Sequence, residues 1–501
     1  MATILKEDFI ESIRDGFQFI SYYHPADFIR SMATAYRKEK SPAAKNAIGQ
    51  ILRNSKMAGA GHRPICQDTG LATIFIKVGM NVQWDTDQTL EEMINEGVRR
   101  AYLDPENPLR ASIVSDPIGT RKNTGDNTPA VIHTRLVKGN QVEVHLAAKG
   151  FGSENKSKLL MLNPNDDVET AVIKQIEEMG AGWCPPGMLG IGIGGSAEKA
   201  MLLAKESLLD PIDIQEIQKK GPSDNIEALR LSLYKKINAL GIGAQGLGGL
   251  TTVLDVKVKE YPTHAGALPV GIIPNCAATR HVHFTLDGSG KASFTPPDLD
   301  EWPEINLKES EFTKRINLQD LNKKKIKAFK AGETIYVSGK MLTGRDAAHK
   351  RMVDTLNQGK SLPVNLDGKF IYYVGPVPKV GDEIIGSAGP TTSNRMDKFT
   401  DTILTKTGIL GMIGKAERGP ETIQKLKEHG AVYLIAVGGA AYLISKSIQS
   451  AKVIAYEDLG MEAIYEFEVK DMPVIVAVDT KGNSIHTSGP AYWKQQIINQ
   501  S

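Results

Sequence analysis

The stretch Thr295-Pro296-Pro297-Asp298-Leu299-Asp300-Glu301-Trp302-Pro303 decides how this chain is divided. It is rich in proline and acid and carries neither a helical nor a strand period, which marks a connection between domains. Beyond it, β-rich runs (Thr334 to Val337, Phe370 to Val374, Val432 to Val437, Val474 to Val478) alternate with helical ones (Arg345 to Leu356, Glu421 to Glu428). That alternation predicts a compact α/β unit of about 190 residues. Before it, apolar residues such as Phe9, Ile13, Phe17 and Ile20 recur at helical spacing from Asp8 to about Met57. A further helix is expected from Asp166, with Glu169 completing a capping box, Val168, Val172, Ile176 and Met179 forming one stripe, and Gly180 as the stop. Ser223 to Leu240 reads the same way. Ala130 to Leu136 and Gln141 to Ala147 flank Val137-Lys138-Gly139-Asn140 and predict a hairpin. The expectation is an α/β chain of two domains, 1–295 and 313–501, joined by a linker at 296–312.

Composition narrows the function. The chain has 501 residues with 60 Lys+Arg against 58 Asp+Glu, a net charge of +2, and its basic residues are spread along its length. Nucleic-acid binding is not favoured by such a balance. Hydrophobic residues at 41% and charged residues at 24% suit a folded globular protein and exclude bulk disorder. The longest apolar run, Val432 to Ile444, has 13 residues, short of the roughly 20 that span a bilayer. The opening Met1-Ala2-Thr3-Ile4-Leu5-Lys6-Glu7-Asp8 fits neither a secretory signal nor an Arg-rich transit peptide. A cytoplasmic protein with no membrane partner is expected.

Two loops, Gly190-Ile191-Gly192-Ile193-Gly194-Gly195 and Gly241-Ile242-Gly243-Ala244-Gln245-Gly246, fit the G-x-G-x-x-G pattern of dinucleotide sites. With 48 glycines in the chain such matches arise by chance, and tight turns with close packing explain them better. An anion held at the helix expected from Ser196 is a second reading. The three cysteines say more. Cys66, Cys184 and Cys276 all stand in turn-like segments, 118 and 92 residues apart. These spacings exclude a local zinc knuckle, leaving a metal or cluster site assembled from distant loops, a single catalytic thiol, or buried thiols without chemistry. If all three bound a 4Fe-4S cluster, which four thiolates normally saturate, one iron would stay open. An open metal position is what a Lewis-acid catalyst needs, and hydration or dehydration is its natural chemistry.

Six ordered segments then carry a resemblance: Cys66-Gln67-Asp68-Thr69-Gly70, Asn123 to Ala130, Lys149 to Glu154, Cys184-Pro185-Pro186-Gly187, Thr343-Gly344-Arg345-Asp346-Ala347-Ala348-His349-Lys350, and Gly386 to Met396. Over nearly its whole length the chain resembles the class I fumarate hydratases. The resemblance implies a 4Fe-4S hydro-lyase interconverting fumarate and L-malate, a homodimer with an N-terminal α/β cluster domain and a C-terminal swivelling β/β/α domain. It implies Cys66, Cys184 and Cys276 as cluster ligands, with substrate on the fourth iron. It implies Arg110, Arg345, Arg395 and Lys415 as carboxylate-binding groups, a role that guanidinium and ammonium chemistry suits. Thr391 matches the family's proposed base for the C3 proton, and Asp68 a proposed acid or relay. Gln67, His264 and Gly150, the last through its backbone, match substrate contacts. His349 has two readings, orienting Arg345 or packing on its helix. The rivals are a hydro-lyase of the same family acting on L-tartrate or mesaconate, and an iron- or oxygen-sensing cluster protein.

Overall fold

The computed structural model describes residues 2–305 and 314–499. The 306–312 part of the expected linker, and position 313 where the second unit is expected to start, lie outside the described residues. The opening helical stretch is three helices, Lys6–Tyr22, Ala26–Lys38 and Pro42–Gly61. Pro25 and Pro42 separate them, since proline lacks the N–H that a continuing helix uses. Pro42 starts the third helix and Ser41 caps it, its side chain accepting from the Ala44 N–H.

The first helix buries Phe9, Ile10, Ile13, Phe17 and Ile20, packing with Leu90–Tyr102 over one face of a four-stranded sheet through Ile74, Ile76, Val144 and Leu146. The strand order is His281–Leu286, Val142–Lys149, Leu71–Gly79, Val131–Val137. The expected hairpin is therefore wrong. Val131–Val137 and Val142–Lys149 are strands, but Leu71–Gly79 lies between them, parallel to the first and antiparallel to the second. The chain just past this inserted strand takes the bonds a hairpin would have used: Met80 N–H donates to the Val137 carbonyl and Asn81 N–H to that of Gly139. The capping box at Asp166 is also off by one residue. Asp167 caps the helix Val168–Met179, accepting from the Glu169 and Thr170 N–H groups, and Gly180 ends it at φ 62°.

A second sheet has the order Lys158–Leu162, Leu268–Asn275, Gly187–Gly194, Val253–Tyr261. The first glycine motif is one of its strands. A Cβ at Gly190 would lie 2.1 Å from the Ala204 carbonyl oxygen, and one at Gly192 2.0 Å from that of Ala200, so these glycines let the helix Ala197–Ser207 lie directly on the strand.

Residues 314–478 form a seven-stranded sheet. Its long strand Ile464–Val478 pairs with Thr334–Thr343 along most of its length and with Val432–Ile435 at its end, closing the sheet on itself. The largest apolar cluster joins this sheet to the N-terminal half. Phe28, Ile48, Ile51 and Ala277 share it with Ile335, Phe370, Val437 and Val476. Apolar continuity of that kind holds the two halves together far more firmly than a polar domain contact would. Among the described residues no helix is long and apolar enough to cross a membrane.

Candidate active site

The helix Pro42–Gly61 ends on His62 in the left-handed conformation, and the chain turns through Cys66 to Gly70, at φ 90°. A Cβ on Gly70 would fall 2.7 Å from the Ala148 backbone, so only glycine brings the loop this close to the strand behind it. Asp68 sits in the turn. Its Oδ1 accepts from the Gly70 N–H at 3.2 Å and its Oδ2 from the Phe151 N–H at 3.0 Å. Arg110 Nη2 lies 3.7 Å from Oδ1, and Arg280 Nη1 donates to the Asp68 carbonyl at 2.7 Å. Burial alone would raise the Asp68 pKa, but Arg110, Arg280, Lys415 and the Phe151 N–H together hold it below the usual carboxylate range. Gly150 borders the same spot, where an added Cβ would meet Asp68 Oδ2 at 3.4 Å and Arg280 Nη2 at 3.6 Å.

All three cysteines are free. Cys66 and Cys276 share a small apolar cluster with Ile65, Ala278 and Tyr442. Cys184, at φ 62°, accepts through its carbonyl from the Ala277 N–H at 3.1 Å, which fixes its loop against that of Cys276. Burial pushes the Cys66 thiol up and the Cys184 thiol up to about 11, with Lys415 opposing in both cases. Lys415 is held protonated. Its burial disfavours the charge, but Cys184, Cys66 and Cys276 together raise its pKa. One ammonium thus faces three sulfurs.

The C-terminal half supplies that ammonium and more. Thr391 is buried, its N–H donating to the Tyr373 carbonyl at 2.7 Å and its own carbonyl accepting from the Lys415 N–H at 3.2 Å. Gln67 crosses the seam, donating through Nε2 to the Pro390 carbonyl at 3.1 Å, while its Oε1 lies 3.3 Å from Cys66 Sγ. Arg110 crosses it too, donating to the Gly375 carbonyl at 2.7 Å. A Cβ on Gly375 would lie 2.5 Å from Arg345 Nη1, so the two guanidiniums flank one backbone segment. Burial and then Arg345 push Arg110 down to about 10. Among the described residues the Nε of each is buried without a partner. Two close cations with spare N–H groups form a receptor for carboxylate oxygens.

Two expected residues lie apart from this centre. Arg395 pairs with Asp346 at 3.0 Å and its side chain is 39% exposed. His264 is exposed in the loop after Val253–Tyr261, its Nδ1 accepting from the Gly266 N–H. The strand Leu268–Asn275 runs from that loop to Cys276, and at strand rise it carries the chain roughly 24 Å away. His264 therefore does not join the thiols of its own chain. His349 accounts for itself by packing edge-on to Tyr373 and bonding through Nδ1 to the Arg345 carbonyl.

Reasoning from the sequence missed Arg280 and Lys149. Arg280 is 3% exposed, and its Nε has no partner among the described residues. Lys149 donates to Ser153 Oγ and the Pro274 carbonyl, and burial pushes it down to about 8. Lys149 opens one of the segments quoted above, beside Gly150, and Arg280 stands four residues after Cys276, but a basic residue in the sequence gives no sign of whether it is buried.

Comparison with known proteins agrees along the chain. The family model described as fumarate hydratase matches residues 10–285, and that described as fumarase C-terminus matches residues 288–489. The anaerobic class I fumarate hydratase of Escherichia coli is 32% identical over 95% of this chain and 87% of its own. A putative class I fumarate hydratase of Geobacillus stearothermophilus is 30% identical over 92% of each. The putative L(+)-tartrate dehydratase alpha subunit of Methanocaldococcus jannaschii is 38% identical over 53% of this chain. Two family models and near full-length relatives thus show the family: the chain belongs to the class I fumarate hydratases and is a lyase of that family.

Proposed function

We propose that this enzyme hydrates fumarate reversibly to L-malate with a 4Fe-4S cluster held by Cys66, Cys184 and Cys276. The observation that carries the reading is the convergence of three free cysteines on Lys415, beside Asp68 and the Arg110–Arg345 pair. The donor set fits a cluster: three free thiols on three separate loops face one ammonium, and a cluster takes each thiolate at a separate iron. When bound, it would supply an open iron as a Lewis acid for the hydroxyl at C2.

The chain's own groups do the rest in this proposal. Arg110, Arg345 and Lys415 bind and orient the substrate carboxylates, with Gln67 and the Gly150 backbone as further contacts and Arg395 at the margin. During hydration a water oxygen bonds to C2 as its proton leaves toward Asp68, the carboxylate held ionised, and the Thr391 hydroxyl gives a proton to C3; the proton taken by Asp68 then returns through solvent to the Thr391 oxygen, so both groups are restored. In the reverse direction Thr391 removes that proton, a task for which a hydroxyl must be strongly assisted. We place the division between halves at 296–312, the C-terminal unit having the β/β/α fold that the resemblance implies. The enzyme is a homodimer of the cytoplasm, where free thiols persist. In the dimer His264 finds a role, its loop on one copy reaching the site of the other. L-tartrate is the second reading, favoured by the M. jannaschii relative.

The test is fumarate consumption by anaerobically purified, iron- and sulfide-reconstituted protein, repeated after exposure to air. Fast turnover lost together with iron supports the proposal. Absent turnover at full iron content, or a much higher kcat/KM on L-tartrate or mesaconate, overturns fumarate as the substrate.

A further inference from the structure

The second glycine motif remains without a role in the reaction as described. Gly241, Gly243, Gly246 and Gly248 all have φ between 69° and 79°, the left-handed region where glycine is unstrained. Gln245, among them, has φ 54° and ψ 15°. A long side chain at such a position costs conformational energy that glycine would avoid, and strain of this kind persists where the surroundings impose it.

The surroundings of Gln245 are specific. It is 3% exposed. Its backbone N–H and its Nε2 both donate to the Pro185 carbonyl, at 2.8 and 2.9 Å, and Pro185 follows Cys184. Its Oε1 accepts from the Gly438 N–H at 2.9 Å. Its own carbonyl accepts from His486 Nε2 at 3.2 Å, on the helix Ile485–Ile498. The Gly438 backbone in turn lies on the cysteine. A Cβ there would sit 2.8 Å from Cys184 Sγ, 3.0 Å from Gln245 Oε1 and 3.3 Å from Lys415 Cδ. The one side chain thus ties the Cys184 loop of the N-terminal half to the Gly438 loop of the C-terminal half, and the latter covers the sulfur.

We infer that Gln245 is a positioning residue, holding Gly438 over Cys184 so that the thiol and Lys415 keep their mutual placement. A chance packing of the side chain would leave its amide partly unpaired; here both ends are used, one toward each half. The inference rests on the proposed function only in treating Cys184 as a cluster ligand.

The experiment uses the full chain without iron, so its outcome is separate from that of the activity assay. Rates of alkylation of Cys184 and Cys66 by iodoacetamide are measured by peptide mass spectrometry in the parent protein, Gln245→Gly and Gln245→Asn. Glycine is the easiest residue at this φ, so Gln245→Gly deletes the amide while relaxing the backbone. Asparagine tolerates left-handed backbone and shortens the reach by one methylene. The expected result is a rise of about tenfold at Cys184 in Gln245→Gly, a smaller rise in Gln245→Asn, and an unchanged rate at Cys66, as loss of a paired hydrogen-bond bridge implies. Hydrogen exchange of the peptide containing Gly438 should quicken in the same order. Equal rises at Cys66 and Cys184 would mean general loosening and overturn the inference, as would no rise at Cys184.

Discussion

The two halves contribute opposite chemistry to the seam between them. The N-terminal half brings electron-rich groups, the sulfurs of Cys66, Cys184 and Cys276 and the Asp68 carboxylate, set in turns fastened by glycine and backbone N–H groups. The C-terminal half brings Lys415 and Arg345, with Thr391 bonded through its backbone to Tyr373 and Lys415, just past the ends of two strands of the closed sheet. Arg110, Arg280 and Lys149 are exceptions, cations of the first half, and Arg110 donates to Gly375 in the second. Neither half holds a complete set, so the apolar cluster that joins them is as necessary to the chemistry as the polar groups are. Burial raises the thiols while Lys415 opposes it, and the same sulfurs, as thiolates, shift Lys415 upward against its own burial.

The sharpest way to break this division is to remove one sulfur. Cys184→Ser is expected to bind far less iron and to lose roughly a thousandfold or more in kcat, the scale of several kcal/mol of Lewis-acid stabilisation. Iron and sulfide per chain, measured beside fumarate turnover after reconstitution, check both. Normal activity in this variant would sink the three-thiolate proposal. Removing the opposing charge tests the other half. Lys415→Met keeps length and burial, and should lower kcat/KM about a hundred- to a thousandfold, the usual cost of breaking a buried ionic pairing. The assay needs protein of full iron content, because a change within threefold would show that the ammonium is dispensable.

A smaller and more discriminating effect concerns His264, the residue that the chain's own geometry keeps away from the thiols. His264→Ala and Thr391→Ala are each expected to be nearly inactive alone. Mixed by co-expression, random pairing should restore about a quarter of the parent activity, because half of the dimers carry one site with neither lesion. Purifying the doubly tagged heterodimer and assaying it checks the arithmetic. No recovery would mean that His264 does not cross between copies.

Much of this was legible in the sequence, and the limits have physical causes. Helical stripes survived because burial of one face is a local property: Phe9, Ile13, Phe17 and Ile20 point where their spacing says. The hairpin reading failed because strand pairing is decided by partners far along the chain, and Leu71–Gly79 outcompeted the near neighbour. Placement of the three cysteines in turns left a shared site, a single thiol and inert buried thiols open, and their common approach to Lys415 is legible only in three dimensions. Arg280, Lys149 and Gln245 stayed hidden, because burial of a polar side chain depends on what surrounds it in space. For Gln245 a signal did exist, a long polar residue inside a run of glycines that all need positive φ.

The smallest predicted effect separates the charge that the site uses from charge that the fold excludes. His349 lies 2% exposed in the C-terminal half, and burial pushes its pKa down to about 4. Its Nδ1 meets a carbonyl, so that nitrogen carries the hydrogen in the neutral ring. A histidine at about 4 when folded and near 6.5 when unfolded binds fewer protons folded than unfolded throughout that interval. Stability is therefore complete above about pH 6.5 and falls as pH drops toward 4, by on the order of 2–3 kcal/mol from this group. His349→Asn keeps a donor toward the Arg345 carbonyl but cannot titrate. It should be less stable at neutral pH, having lost ring packing on Tyr373 and Phe399, yet show a shallower decline between pH 6.5 and 4 in urea unfolding of the iron-free protein. Parallel pH profiles would show that the His349 ring is accommodated in its charged form, and that the C-terminal half tolerates buried positive charge well away from the sulfurs that stabilise Lys415.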